Sequence, residues 1–281
     1  MKAPFGFDNL IVRRGDAIRT EICNIDGISI ILTHQDARGS DNYNAWDKRK
    51  DMVISILDIG CFIEKNIDRD NYNPLKHGLH GLLDFREYGS FEELKDTCFV
   101  FFHEDSARNR LLEMLSIFVS SFGQPSLGRE YDDMWNQAFY ALCKKTSSIP
   151  DSPFFTIHAG IVLNEIYNIY YYYRYPKAYA KKMLGGSPEN YTALDFNIIG
   201  NAGFDGVKWY PRYIITPLNA AKFMIISIST SDTEHIRQCT HCENFFVTDN
   251  SRAVYCSPTC RNRANVKKSY ERKKLREKGD D

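Results

Sequence analysis

Four cysteines near the C-terminal end of the chain, Cys239, Cys242, Cys256 and Cys260, follow the spacing C-x2-C-x13-C-x3-C. Two intervening residues let the first pair of thiolates converge from one tight turn. Residues 245–247 and 253–255 are short strand candidates, and Thr248, Asp249, Asn250 and Ser251 supply turn chemistry between them. The thirteen-residue interval thus has the length of a hairpin that returns the chain to the first pair. Ser257 is a good helix N-cap, and Pro258 suits the first helical position, where its missing N–H costs nothing. Cys260 then sits in the first turn of a helix, whose free N–H groups favour a thiolate. Four sulfurs make a closed tetrahedral set with no open position for catalysis, so the expected occupant is one structural Zn²⁺. His241, inside the first pair, is expected to be an exposed residue of the turn.

The helix that begins at Pro258 extends to about Lys278 and is strongly cationic. From Arg252 to Asp281 there are ten lysines and arginines against four acidic residues, a net of +6 in a chain whose total formal charge is zero. The remainder is therefore acidic, and positive charge collected at one end is the footprint of a nucleic-acid-contacting segment. Arg261, Lys268, Arg272 and Arg276 fall on one stripe of the helix; Arg263, Lys267, Lys274 and Lys278 fall on another. Ala264, Val266, Tyr270 and Leu275 make no continuous apolar stripe, so the helix must project, fray or bind something. Arg252, Arg261, Asn262, Arg263, Lys267, Lys268, Arg272 and Lys274 are the candidate nucleic-acid contacts, with DNA ahead of RNA. Asn262 and Arg263 have the chemistry to reach base edges. A solvated tail or a protein-binding segment are the competing readings.

Phe246, Asp249, Ser251-Arg252, Cys256-Ser257 and the run Cys260-Arg261-Asn262-Arg263-Ala264 resemble the CGNR-type zinc finger that ends certain bacterial proteins. The likeness extends to other treble-clef fingers of the YCS-x2-CR-x-R type. It covers about residues 235–278. Arg261 stands where the signature has glycine, and the first cysteine pair is more closely spaced. The resemblance implies a treble-clef fold, zinc ligation by the four cysteines, and a role as a bacterial DNA-binding regulator.

The elements that must carry this module are mainly helical. Residues 10–12 and 28–32 are strand-like, in a small N-terminal β region within residues 1–35. Residues 41–67 have the apolar pattern of a buried helix, with Met52, Ile54, Ile56, Leu57, Ile59 and Phe62 inward. Residues 71–90 look like a loop. Helical character then runs over 91–182, with a capping box at Ser90 and Glu93, a core face of Leu111, Leu112, Leu115, Ile117, Phe118 and Phe122, and helices at 131–145 and 153–173. The tyrosine run 170–173 suits a helix flank or an interface. Residues 184–211, with several glycines, read as loop, and 217–230 as a last helix. The expected class is α+β: a mainly α-helical body, 1–234, followed by a small treble-clef zinc finger with a basic helix, 235–281.

No acid-base or nucleophile constellation stands out, so no catalytic residue is assigned. His77 and His80, with Asp84 and Glu87 nearby, could share a metal only if helical; His103-Glu104 lacks the second histidine of a zincin helix. His158 reads as a core histidine, and Cys23, Cys61, Cys98 and Cys143 as ordinary thiols without metal spacing. No apolar run is long enough for a membrane span and no secretory signal is visible, which points to a cytoplasmic protein. Two functions follow from these residues. One is a zinc-containing nucleic-acid-binding protein whose body senses a small-molecule or protein ligand. The other is an enzyme acting on nucleic acid, or a phage-defence or toxin-like effector, whose body holds the active site and whose finger delivers it.

Overall fold

The computed structural model describes residues 10–12, 17–25, 28–35, 43–67, 105–123, 125, 154–176, 198–204 and 209–278. It divides into two compact units, Lys2–Met224 and Ile225–Asp281.

In the first unit, strands β1 (Leu10–Val12), β2 (Ala17–Ile25), β3 (Ile28–Gln35) and β4 (Tyr43–Asn44) precede helix α1 (Arg49–Asn66). Helix α2 (Asp105–Phe122), strand β5 (Phe154–His158), helix α3 (Ala159–Arg174) and strands β6 (Ile198–Phe204) and β7 (Trp209–Ile215) follow. Helix α4 (Pro217–Ser229) then runs across the boundary between the units. The strands form a four-stranded sheet in the order β4-β1-β7-β6 and a three-stranded sheet in the order β2-β3-β5. Only the β1–β7 pairing is parallel within these sheets; the other pairs are antiparallel. Among the described residues, helices outweigh strands, as the sequence suggests.

Helix α1 packs against α2 and α3; α2 also lies on β2, and α3 on β3 and β5. Met52, Val53, Ile56, Leu57, Ile59 and Ile63 of α1 meet Leu111, Leu115, Phe118 and Phe122 of α2 and Ile161, Val162, Ile166 and Ile169 of α3 in a buried core. Fully burying each of these side chains contributes about 1.5–3 kcal/mol. Ile117, expected on the core face of α2, is instead 56% exposed: its neighbour Phe118 takes the inward position. At the closest approach of α1 to α3, a Cβ on Gly60 would lie 2.1 Å from Tyr170 Cβ, so only glycine fits there. The Tyr170 hydroxyl donates to Glu64, which satisfies the polar tip of an otherwise buried ring. Burial first, and then the Glu64 carboxylate, push the Tyr170 phenol well above its ordinary value. Lys222 of α4 pairs with Glu165 of α3 at 2.5 Å, both side chains being largely shielded from solvent.

Three expectations are corrected. Residues 43–48 are not helical: β4 occupies Tyr43–Asn44, Asn44 Oδ1 accepts the Trp46 N–H at 2.9 Å in the turn that follows, and α1 begins only at Arg49. Residues 154–158 are not helical: β5 occupies Phe154–His158, and α3 begins only at Ala159. Phe154, Phe155, Thr156 and Ile157 favour a strand, but no breaker separates them from the helical pattern that follows. The glycine-rich stretch 184–211 contains β6 and the start of β7, paired in register from Ile198↔Ile215 to Phe204↔Trp209. The strand-forming residues of β7 impose extended structure on a partner with two glycines, so tertiary pairing overrides local propensity. Pro211 lies outside the described pairing of β1, which joins Tyr213, Ile214 and Ile215. The expected helix at 131–145, the loop at 71–90 and the Ser90–Glu93 capping box lie outside the described residues.

Candidate metal centre and cationic helix

In the second unit, strands β8 (His235–Gln238) and β9 (Phe245–Thr248) form an antiparallel pair, and helix α5 (Pro258–Lys278) follows. Ser231 Oγ accepts the N–H groups of Thr233 and Glu234, both at 3.1 Å, and turns the chain into β8. Between the strands the backbone closes a knuckle. Cys239 N–H donates to Asn244 O and Glu243 N–H to Cys239 O, each at 2.9 Å, while Gln238 Nε2 donates to Glu243 O at 2.9 Å. Glu243 closes this turn with φ 63°, a left-handed conformation that a side chain adopts only at some cost.

The hairpin differs from the one expected. β9 pairs with β8 through the knuckle, and residues 253–255 are not a strand. They are held instead by single contacts: Thr240 N–H and hydroxyl both donate to Val254 O, at 3.0 and 3.3 Å. The intervening loop closes as its turn residues suggest. Asn250 N–H donates to Thr248 Oγ1 at 3.1 Å, Arg252 N–H to Asn250 Oδ1 at 2.9 Å and Ala253 N–H to Asn250 O at 3.0 Å. The Arg237 guanidinium reaches back to Ser251 O and ties β8 to this loop. At the helix start Ser257 Oγ accepts Cys260 N–H at 3.2 Å, which is the anticipated N-cap.

These contacts bring the sulfurs of Cys239, Cys242, Cys256 and Cys260 within 4.8 Å of one another. Cys242 and Cys256 are separated by 3.6 Å, Cys256 and Cys260 by 3.5 Å. A tetrahedral ion with metal–sulfur bonds of about 2.3 Å has sulfur–sulfur edges of about 3.8 Å, so the set fits one metal ion with little adjustment. His241 is not among the converging groups, in keeping with its expected place on the turn. Cys239 is buried, whereas Cys242 and Cys256 lie near the surface.

The electrostatics are those of a cation site. Burial alone would raise the Cys239 thiol, but N–H groups of Cys242, Cys256 and His241 bring it down to about 6. Burial and the crowding of neighbouring thiols push Cys256 up to about 12, and Cys242 is raised as well. One sulfur is thus poised to be a thiolate at neutral pH, while sulfurs around it resist a further negative charge until a cation is supplied. Among the described residues of this unit, the buried apolar side chains apart from Cys239 are Ile225, Ile228, Phe245 and Ala264.

The candidate nucleic-acid contacts all lie on the surface of this unit. Arg252 is on the loop before Cys256; Arg261, Asn262, Arg263, Lys267, Lys268, Arg272 and Lys274 are on α5. Each is exposed. From 261 to 274 only Ala264 is buried; Val266 and Tyr270 are 70% and 69% exposed.

The structure also shows supports that the cysteine pattern does not announce: Glu243 in its left-handed conformation and the hydrogen bonds of Gln238, Thr240 and Arg237. Ser257 was legible because N-caps have a composition; a left-handed glutamate has none. His77, His80, Asp84, Glu87, His103, Glu104, Cys98 and Cys143 lie outside the described residues. Cys61 is buried in α1 and belongs to no metal group among the described residues. Among the described residues no helix is long and apolar enough to cross a membrane. Comparison with models of known families, with curated proteins and with solved structures finds no match for this chain.

Proposed function

We propose that the C-terminal unit is a treble-clef zinc finger that carries a nucleic-acid-binding helix, and that the protein acts as a DNA-binding regulator. The observation that supports this reading best is one arrangement: four convergent sulfurs sit at the base of a 21-residue helix whose side chains from 261 to 274 are all exposed but Ala264 and are rich in cations. Four thiolates without an open ligand position suit Zn²⁺ in a structural role. A structural zinc contributes roughly 10–16 kcal/mol of apparent binding free energy, which a core of a few apolar residues cannot supply. Helix α5, about 30 Å long, then offers its exposed cations to a partner. Phosphates are the complementary partner for cations so disposed, because each neutralised phosphate releases condensed counterions. The resemblance to CGNR-type fingers points the same way and adds the regulatory, bacterial setting. The body would supply the ligand-sensing part.

Two measurements on the purified, reduced protein test this. Metal analysis is expected to return one zinc per chain. Binding to labelled DNA and RNA, followed over a salt titration, is expected to weaken steeply with salt. Changing Arg263, Lys267 and Lys268 together to alanine should weaken binding at every sequence and reduce the logarithmic salt slope by about 2–3. Substoichiometric metal, or a triple variant with the parent's slope, would remove the helix from this role.

A further inference from the structure

Three rows of side chains run along α5. Asn262, Val266, Ser269 and Lys273 follow at intervals of four, three and four residues and share one face. At about 100° per residue, that face points about 170° away from Ala264, the buried position. Arg261, Lys268 and Arg272 form a second row about 110° to one side. Arg263, Lys267 and Lys274 form a third row about 110° to the other. Every residue of the three rows is exposed. Glu271, the one acidic residue between 258 and 274, falls on the Ala264 side.

We infer that α5 lies in the major groove of duplex DNA and reads base edges with Asn262, Val266, Ser269 and Lys273, while its two cationic rows grip the phosphates on either side. The inference rests on the nucleic-acid reading above and names its substrate. A groove offers base edges at its floor and an anionic strand along each wall; α5 offers the complement in the same order. Its diameter of about 10–12 Å matches a major groove about 12 Å wide. The reading row, from 262 to 273, spans about 16 Å, the rise of about five base pairs. Its side chains pair naturally with base edges, since an amide suits adenine, an aliphatic group the thymine methyl, a hydroxyl either base, and an ammonium guanine O6 and N7. Arg263, which the sequence places among the base readers, belongs instead to a phosphate row. Duplex RNA is disfavoured because its major groove is too narrow and deep for a helix. A coiled-coil partner is disfavoured because Val266 is the only apolar residue of the outward row.

The test uses the full-length, metal-loaded protein. Selection from random duplexes is expected to enrich one short sequence, and methylation interference on it should map to guanine N7, in the major groove. Asn262→Ala and Val266→Ala should each weaken the enriched duplex by about tenfold. Their binding to an unrelated duplex and their salt slope should stay at the parent's values, with an unchanged melting temperature as the control for folding. No enriched sequence, interference at adenine N3 in the minor groove, or equal affinity for duplex RNA would each overturn the groove-reading helix while leaving nucleic-acid binding intact. Failure to bind any nucleic acid would overturn both.

Discussion

Cys239 is more acidic than Cys242 or Cys256, and its setting bears on how a bound metal should respond to pH. Burial opposes ionisation, yet the knuckle N–H groups hold its thiol down to about 6, below the ordinary thiol range. A group with a depressed folded value stabilises the fold above its unfolded value, and that contribution is lost as pH falls through the folded one. Cys256, pushed up to about 12, has the opposite sign and needs a cation to ionise at neutral pH. A bound cation lowers every one of these thiols further, so metal retention is expected to be full at about pH 8 and to be lost only at a pH well below the metal-free Cys239 value, where protons displace the ion. Metal content after dialysis between about pH 8 and about pH 3 checks it; full retention at about pH 3 would contradict ligation by thiolates. The ligands were legible because thiolates at a fixed spacing have few other uses. The conformation of Glu243 was not, because φ 63° leaves no trace in residue type unless glycine marks it.

Elements announce themselves when their packing repeats with their own period. Helices α1, α2 and α4 carry their buried residues at helical spacing, and the sequence finds each of them, although α1 begins at Arg49 and not at 41, where β4 and a turn come first. Strands β5 and β6 do not, since one runs into a helix without a break and the other is held by its pairing with β7. Gly60 belongs to the same lesson: inside α1 it looks like a weak helix position, whereas its role is set by Tyr170 across the interface. A Cβ there would approach Tyr170 Cβ and Cγ to 2.1 and 2.4 Å, atoms close to the α3 backbone that cannot swing aside. Gly60→Ala, which raises intrinsic helix propensity, is thus expected to destabilise the protein by about 1–3 kcal/mol through overpacking. Chemical denaturation monitored by tryptophan fluorescence measures this; a variant as stable as the parent would mean that α1 and α3 do not meet so closely.

At the scale of the whole molecule, the two units draw stability from different sources. Lys2–Met224 has long helices with an extensive buried apolar core, whereas Ile225–Asp281 has, among the described residues, few buried apolar side chains and a cluster of four sulfurs. Whole-chain composition conceals the division, since formal charge sums to zero; the position of the cysteines and of the basic run reveals it. The consequence is that metal removal should act on one unit alone. All the tryptophans, Trp46, Trp135 and Trp209, fall within Lys2–Met224, so their fluorescence reports that unit, while α5 contributes 21 helical residues to far-ultraviolet dichroism from the other. With a strong chelator, helical dichroism is expected to fall while tryptophan emission stays at its native wavelength. Proteolysis should then cut first within residues 235–278. Restoring zinc should reverse both changes, because the binding free energy of a structural metal is folding free energy for a module of this size. If the chelator left the dichroism untouched, α5 would be held by contacts other than the metal; if it also shifted the tryptophan emission, the body itself would depend on the ion.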